Sequence, residues 1–246
     1  MTALVTGGGT GIGRAVAEAL AGVRGPDGSG HPVAVVYSRS ADDAAATVEA
    51  IRAGGGTAEA FRADVTDDAA VRGLVEEVRG RLGPVSVLVN NAGGTEHIAL
   101  DDLEAADDDV FERLFRLNTL SAWHCARAAA ADLRAADDGC VVNVGSASVA
   151  SGRGSSVPYV VSKAALSGLT RALANALAPV RVNEVWPGLV LTRWWAGQEE
   201  AGRALASKAM VGRETTVDDV AAAVVGLVTS RAITGQTITV DGGQNL

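Results

Sequence analysis

The strongest constraint in this chain is a repeated order. Seven short runs rich in β-branched residues, Thr2 to Thr6, Val33 to Tyr37, Thr57 to Arg62, Val85 to Asn90, Gly139 to Ser146, Val180 to Trp186 and Thr237 to Val240, alternate with longer Ala-rich stretches. Strands separated by helical patterns are successive βαβ units, and their right-handed crossovers lay helices on both faces of one parallel sheet. A strand covered on both faces can be apolar almost throughout, as Val85-Ser86-Val87-Leu88-Val89 is. The expected fold is α/β, a doubly wound seven-stranded parallel sheet. No Pro- or Ser-rich linker divides the 246 residues, so one domain over 1–246 is expected.

Composition excludes several function classes. Hydrophobic residues make up 48% of the chain, but in short runs, not in stretches of about twenty, so no membrane span is expected. The N-terminus lacks a basic region, an apolar stretch and a cleavage site, which points to the cytoplasm. Cys125 and Cys140 lack CxxC spacing, so neither disulfide nor metal is expected. A net charge of −8 disfavours nucleic acid, whose phosphates call for clustered Lys and Arg. Two segments are irregular: Gly22 to Gly30, read as a surface insertion, and Gly188 to Gly212, which holds Trp194 and Trp195 and flanks the expected ligand crevice.

The first strand enters Thr6-Gly7-Gly8-Gly9-Thr10-Gly11-Ile12-Gly13, followed by a helical stretch from Arg14. Glycines let the backbone turn sharply and approach a pyrophosphate, whose charge suits the free N–H groups of a helix N-terminus. A plain Gly-rich turn is the bland alternative. The spacing is not G-x-G-x-x-G, and the loop lacks the Lys-Ser/Thr ending of a nucleoside-triphosphate loop. Farther on, Tyr159 and Lys163 are four residues apart, on one face of a helix, an arrangement suited to proton transfer. A Tyr-x-x-x-Lys pair alone occurs by chance in many helices.

Taken in order, these motifs resemble the short-chain dehydrogenase/reductases of about 250 residues, over nearly the whole chain. The loop has that family's T-G-x-x-x-G-x-G spacing, and Asp64-Val65, Asn90-Asn91-Ala92-Gly93, Asn118, Ser146, Tyr159, Lys163, Arg181-Val182-Asn183, Pro187-Gly188, Thr192 and Asp241-Gly242-Gly243 follow in family order. The resemblance implies a Rossmann fold and a catalytic tetrad of Asn118, Ser146, Tyr159 and Lys163. Ser146 would hold the substrate oxygen, Asn118 a water of the proton relay, and Lys163 the nicotinamide ribose. With the nicotinamide cation, Lys163 would also lower the tyrosine pKa from its usual value near 10. The implied cofactor site comprises Thr6, Gly7, Gly9, Thr10, Gly11, Ile12 and Gly13 at the pyrophosphate, and Asp64 and Val65 at the adenine. Asn91, Ala92 and Gly93 fall beside the ribose, and Pro187, Gly188, Val190 and Thr192 at the nicotinamide. Asp64 could instead cap the helix near Asp67; Asn90 is read as structural.

The second strand ends in Tyr37-Ser38-Arg39-Ser40, with no acidic residue to hold the 2′-hydroxyl of NAD. Arg39, Ser38 and Ser40 suit a 2′-phosphate, so NADP(H) is expected ahead of NAD(H). The expected substrate is a small or medium carbonyl or alcohol, with His97 a candidate for the pocket wall. A 3-oxoacyl reductase of carrier-protein thioesters is the alternative, weakened by Asp137, Asp138 and Asn175 where basic docking residues are usual, although Arg127, Arg134 and Arg171 lie nearby. A non-catalytic NADP sensor is disfavoured by the intact tetrad. Stretches Leu120 to Leu133 and Leu166 to Ala178 resemble the family's pairing helices, implying a homotetramer, with a homodimer next.

Overall fold

The computed structural model describes residues 2–24, 30–192 and 209–246. Its centre is a parallel sheet of β1 (Thr2–Thr6), β2 (Val33–Tyr37), β3 (Ala58–Arg62), β4 (Val85–Asn90), β5 (Cys140–Val144), β6 (Arg181–Pro187) and β7 (Thr237–Val240). The strand order is β3-β2-β1-β4-β5-β6-β7, every pair parallel. Between β1 and β4 the winding reverses, and the loops leaving these two strands diverge. A crevice therefore opens at their carboxyl ends, the place where such sheets bind ligands.

Side chains alternate along each strand, and the sheet divides its core accordingly. Ala3, Val5, Val33 and Val35 face helices α1 (Gly11–Ala21), α2 (Ala41–Ala53) and α8 (Val217–Thr229). Leu4, Ala34, Val36 and Leu88 face α3 (Asp68–Leu82), α5 (Ser121–Ala135) and α7 (Val157–Ala176). Two short helices, α4 (Asp108–Phe115) and α6 (Ser148–Ser151), lie nearer the crevice. Cys125 and Cys140 are buried free thiols, the former pushed up to about 12 by burial alone. Among the described residues, no helix is long and apolar enough to cross a membrane.

Some boundaries differ from the sequence expectation. β5 is shorter than 139–146 because the chain turns at its end: Val149 N–H bonds Ser146 C=O. β6 starts one residue late because Val180 N–H closes a turn onto Leu177 C=O. Asn118 lies not in an α-helix but in a π-helical turn, Arg116–Leu120, joining α4 to α5, a device common at functional sites. The Gly22 to Gly30 insertion is described only at its ends, where Arg24 bridges Gly30. Trp194 and Trp195, with most of the expected substrate segment, lie outside the described residues.

Candidate functional site

The glycine loop joins β1 to α1 under close packing. A Cβ at Gly13 would lie 2.2 Å from Gly7 O and 2.4 Å from Asn91 Nδ2, and Gly7 and Gly11 adopt φ of +64° and +53°. These positions admit only glycine without rearrangement. The loop is held from β4: Thr6 Oγ1 accepts from the N–H of Asn91 and of Ala92, both at 2.9 Å, and Asn91 Nδ2 donates to Thr6 O at 2.9 Å. The Asn91 side chain thus braces the loop. Thr10 is the N-cap of α1 with no side-chain cap bond, and the first turn carries no acid. Its N–H groups therefore present a positive end to the crevice.

At the ends of β2 and β3, Ser38 and Arg39 are exposed and Ser40 is half-buried at the N-cap of α2. Parallel register places Arg62 opposite Tyr37, and Arg62 Nε donates to Ser38 O at 3.3 Å. A second guanidinium thus stands beside the Ser38–Ser40 segment, one that sequence order alone did not associate with it. Asp64 does not cap α3; Asp67 does, accepting from Ala69 and Ala70 N–H. The Asp64 carboxylate accepts from Thr66 N–H and Oγ1, which, with Arg39 nearby, holds it below the usual carboxylate range. Val65 is buried, its carbonyl 3.2 Å from His124 Nδ1.

On the far side of the crevice, the β5 end and α7 bring the expected tetrad together. Ser156 caps α7 by accepting from Tyr159 N–H, and Pro158 sits in the first turn, where its missing N–H costs nothing. Tyr159 and Lys163 follow on one face, 8% and 4% exposed. The Tyr159 hydroxyl is hydrogen-bonded to Ser146. Burial raises the Tyr159 pKa, with the Ser146 bond opposing. The Lys163 ammonium donates to Val144 O at 2.8 Å. Burial lowers Lys163 to about 8, opposed by Glu184.

Asn118 is buried and fully engaged: its Oδ1 accepts from Gly94 N–H at 2.9 Å, and its Nδ2 donates to Gly94 O and to Ser162 Oγ, both at 3.0 Å. Gly93 lies between the groups, since a Cβ there would be 2.9 Å from Asn118 Oδ1 and 3.4 Å from Lys163 Nζ. Asn90 bridges strands, donating to Asn143 Oδ1 at 2.8 Å. Pro187 O accepts from Ala147 N–H, and Gly188 packs so tightly on Asp241 that a Cβ would come within 2.5 Å of it. Val190 pairs with Thr215, and Thr192 reaches back to the glycine loop, 3.4 Å from a Cβ placed at Gly11. His97 is exposed. Sequence reasoning missed Arg62, Ser162 and Glu184, whose proximity to the site arises from strand register and helix packing.

The family model described as Enoyl-(Acyl carrier protein) reductase matches residues 7–245. Granaticin polyketide synthase ketoacyl reductase 2 of Streptomyces violaceoruber is 39% identical, over 99% of this chain and 96% of its own. A 3-oxoacyl-(acyl-carrier-protein) reductase of Staphylococcus aureus is 34% identical, covering 98% and 97%. Among solved structures, a short chain dehydrogenase from Burkholderia cenocepacia in complex with NADP superposes with a TM-score of 0.88 at 36% identity, covering 100% of this chain and 98% of that one.

Proposed function

We propose, from the premise that the chain belongs to the short-chain dehydrogenase/reductase family, that it is an NADP(H)-dependent ketoreductase acting on a small or medium carbonyl compound or the corresponding alcohol. The observation that carries this reading is the convergence of Ser146, Tyr159 and Lys163 on a crevice whose opposite wall is a glycine cradle at a helix N-terminus. The cradle fits a dinucleotide: Gly7, Gly11 and Gly13 let the loop turn tightly into the N-terminus of α1, whose N–H groups suit a pyrophosphate, and the β2 end offers Arg39 and Arg62 with no acid in Ser38–Ser40. Guanidinium groups match phosphate oxygens, whereas an acid there would repel a 2′-phosphate. NADP(H), bound there, supplies the hydride chemistry.

The chain's own residues handle the oxygen and its proton. Ser146 positions the substrate oxygen by hydrogen bond, beside the Tyr159 hydroxyl. Burial keeps Tyr159 protonated near neutrality, so the residue begins as the phenol that donates to a carbonyl oxygen during reduction. Lys163 would then stabilise the phenolate electrostatically and hold the nicotinamide ribose. Because the Asn118 side chain is committed to Gly94 and Ser162, a relay water falls to its main chain. Val190, Thr192 and the Pro187-Gly188 turn would hold the nicotinamide end.

A carrier-bound 3-oxoacyl substrate is the second reading, favoured by what the two reductase relatives are named for. Local charges weigh against it: Arg127 is paired with Asp68, Arg134 donates to Ala176 O, and Asp138 holds Arg181. NADPH oxidation with a panel of free ketones and their carrier-bound counterparts distinguishes the two. Tyr159→Phe lowers turnover with the best substrate by about 10² to 10⁴ while NADPH affinity survives. Near-normal turnover in that variant overturns the proposed role.

A further inference from the structure

Beneath the tetrad lies a carboxylate that the mechanism above does not use. Glu184, on β6, is 0% exposed. Its Oε1 accepts from Ser167 Oγ at 3.0 Å and its Oε2 from Thr237 Oγ1 at 3.4 Å. Ser167 is one helical turn after Lys163 on α7, and its hydroxyl also lies 3.3 Å from Lys163 O. The carboxylate fills the place a side chain would take at Gly145, where a Cβ would be 2.3 Å from Oε1. Gly145 stands between Val144, whose carbonyl receives the Lys163 ammonium, and Ser146.

We propose that Glu184 is a positioning residue for the proton relay: its buried carboxylate, tied to α7 through Ser167 and seated under Gly145, supplies the negative charge that holds Lys163 as an ammonium. This rests on the roles given above to Tyr159 and Lys163. The physical need is plain. An isolated buried ammonium, or an isolated buried carboxylate, loses its charge to desolvation, whereas each retains it in the field of the other. Burial raises the Glu184 pKa, and Ser167 and Lys163 oppose it; burial lowers Lys163, and Glu184 opposes that. Among the described residues, Lys163 is the charged group acting on Glu184. Its other neighbours, Asn143 across the strand pair, Ser167, Trp186 and Thr237, do not titrate. Without the carboxylate, Lys163 would be neutral over more of the physiological range and would stabilise the Tyr159 phenolate less.

The chain offers a direct readout, since it contains two lysines, Lys163 and Lys208. With ¹³C-labelled lysine, two side-chain resonances titrate, and Lys208→Arg assigns them. In the unsubstituted chain the Lys163 midpoint falls near 8. Glu184→Gln, which keeps shape and removes charge, moves that midpoint down by about one pH unit. Ser167→Ala, which takes a stabilising bond from the carboxylate, moves it in the same direction by less, and serves if the glutamine variant does not fold. NADPH affinity at pH 8 falls in parallel in both variants. An unchanged Lys163 midpoint in either folded variant, in a chain that binds NADPH, overturns the role of Glu184 alone. Failure of the unsubstituted chain to bind NADPH overturns the cofactor reading, and with it the role in the relay.

Discussion

Replacing Gly13 with alanine tests the glycine cradle most sharply. The added Cβ would lie 2.2 Å from Gly7 O, and contacts under 3.0 Å do not occur, so the loop or the helix must move by at least 3.0 − 2.2 = 0.8 Å. The atoms in the way are backbone atoms and the Asn91 amide that braces the loop, so no flexible side-chain end can absorb the shift. Overpacking of this kind costs about 1–3 kcal/mol. If the loop moves, that cost falls on the pyrophosphate contacts, and at about 1.4 kcal/mol per tenfold it weakens NADPH by about 5- to 140-fold. If the loop holds, the same cost appears as lost stability. Gly73→Ala is the matched control: no atom lies within 4 Å of its added Cβ in α3, and a helix-interior glycine gives way to alanine with a gain of about 0.8–1 kcal/mol. Thermal unfolding and titration of tryptophan-to-NADPH energy transfer measure both variants. A Gly13→Ala protein with unchanged Tm and NADPH affinity within about twofold refutes the cradle argument, since about twofold lies below the smallest loss the overpacking cost allows.

Other outcomes follow from the same geometry. Arg39→Asp, placed beside Arg62 at the β2 end, reverses or erases the preference for NADP(H); tighter NAD(H) binding by the unsubstituted chain contradicts that assignment. Lys163→Met removes a pH dependence of stability whose sign is fixed. Lys163 titrates at about 8 when folded against 10.5 ordinarily, so between these values the unfolded chain binds the extra proton and stability rises with pH. Denaturant titrations at pH 7.5, 8.5 and 9.5 show the rise in the unsubstituted protein and its loss in the variant; equal slopes contradict it. Trp123 on α5 and Val161 on α7 leave apolar surface exposed, at 36% and 47%, along the helices expected to pair. Light scattering returns a tetramer, or a dimer next, and a 24.8 kDa species alone at micromolar concentration refutes the pairing.

The sheet was legible because its signal is local: each run from Thr2–Thr6 to Thr237–Val240 carries its own period and its own turn residues, and the order of runs fixes a parallel topology. Tyr159 and Lys163 were legible for a similar reason, since helical spacing alone puts them on one face. The functional neighbours that escaped notice are those whose proximity depends on register or on packing between distant elements. Arg62 reaches Ser38 only because β3 pairs with β2 so that Arg62 meets Tyr37. Ser162 reads as an ordinary helical serine until a π-helical turn points Asn118 at it.

Charge environment was the least legible quantity, and Tyr159 shows why. A neighbouring ammonium, with the nicotinamide cation, is expected to lower its pKa, whereas loss of water around the phenolate raises it. The first is readable from a sequence and the second is not, because it depends on how Val110, Leu114, Ile98 and Val160 close over the ring. Burial prevails over the Ser146 hydrogen bond, so the tyrosine pKa stands above its ordinary value. The same reasoning makes Glu184 more than packing. A site that dehydrates its tyrosine also dehydrates its lysine, and on the role proposed for it the Glu184 carboxylate then decides whether that lysine still carries the charge the tyrosine needs.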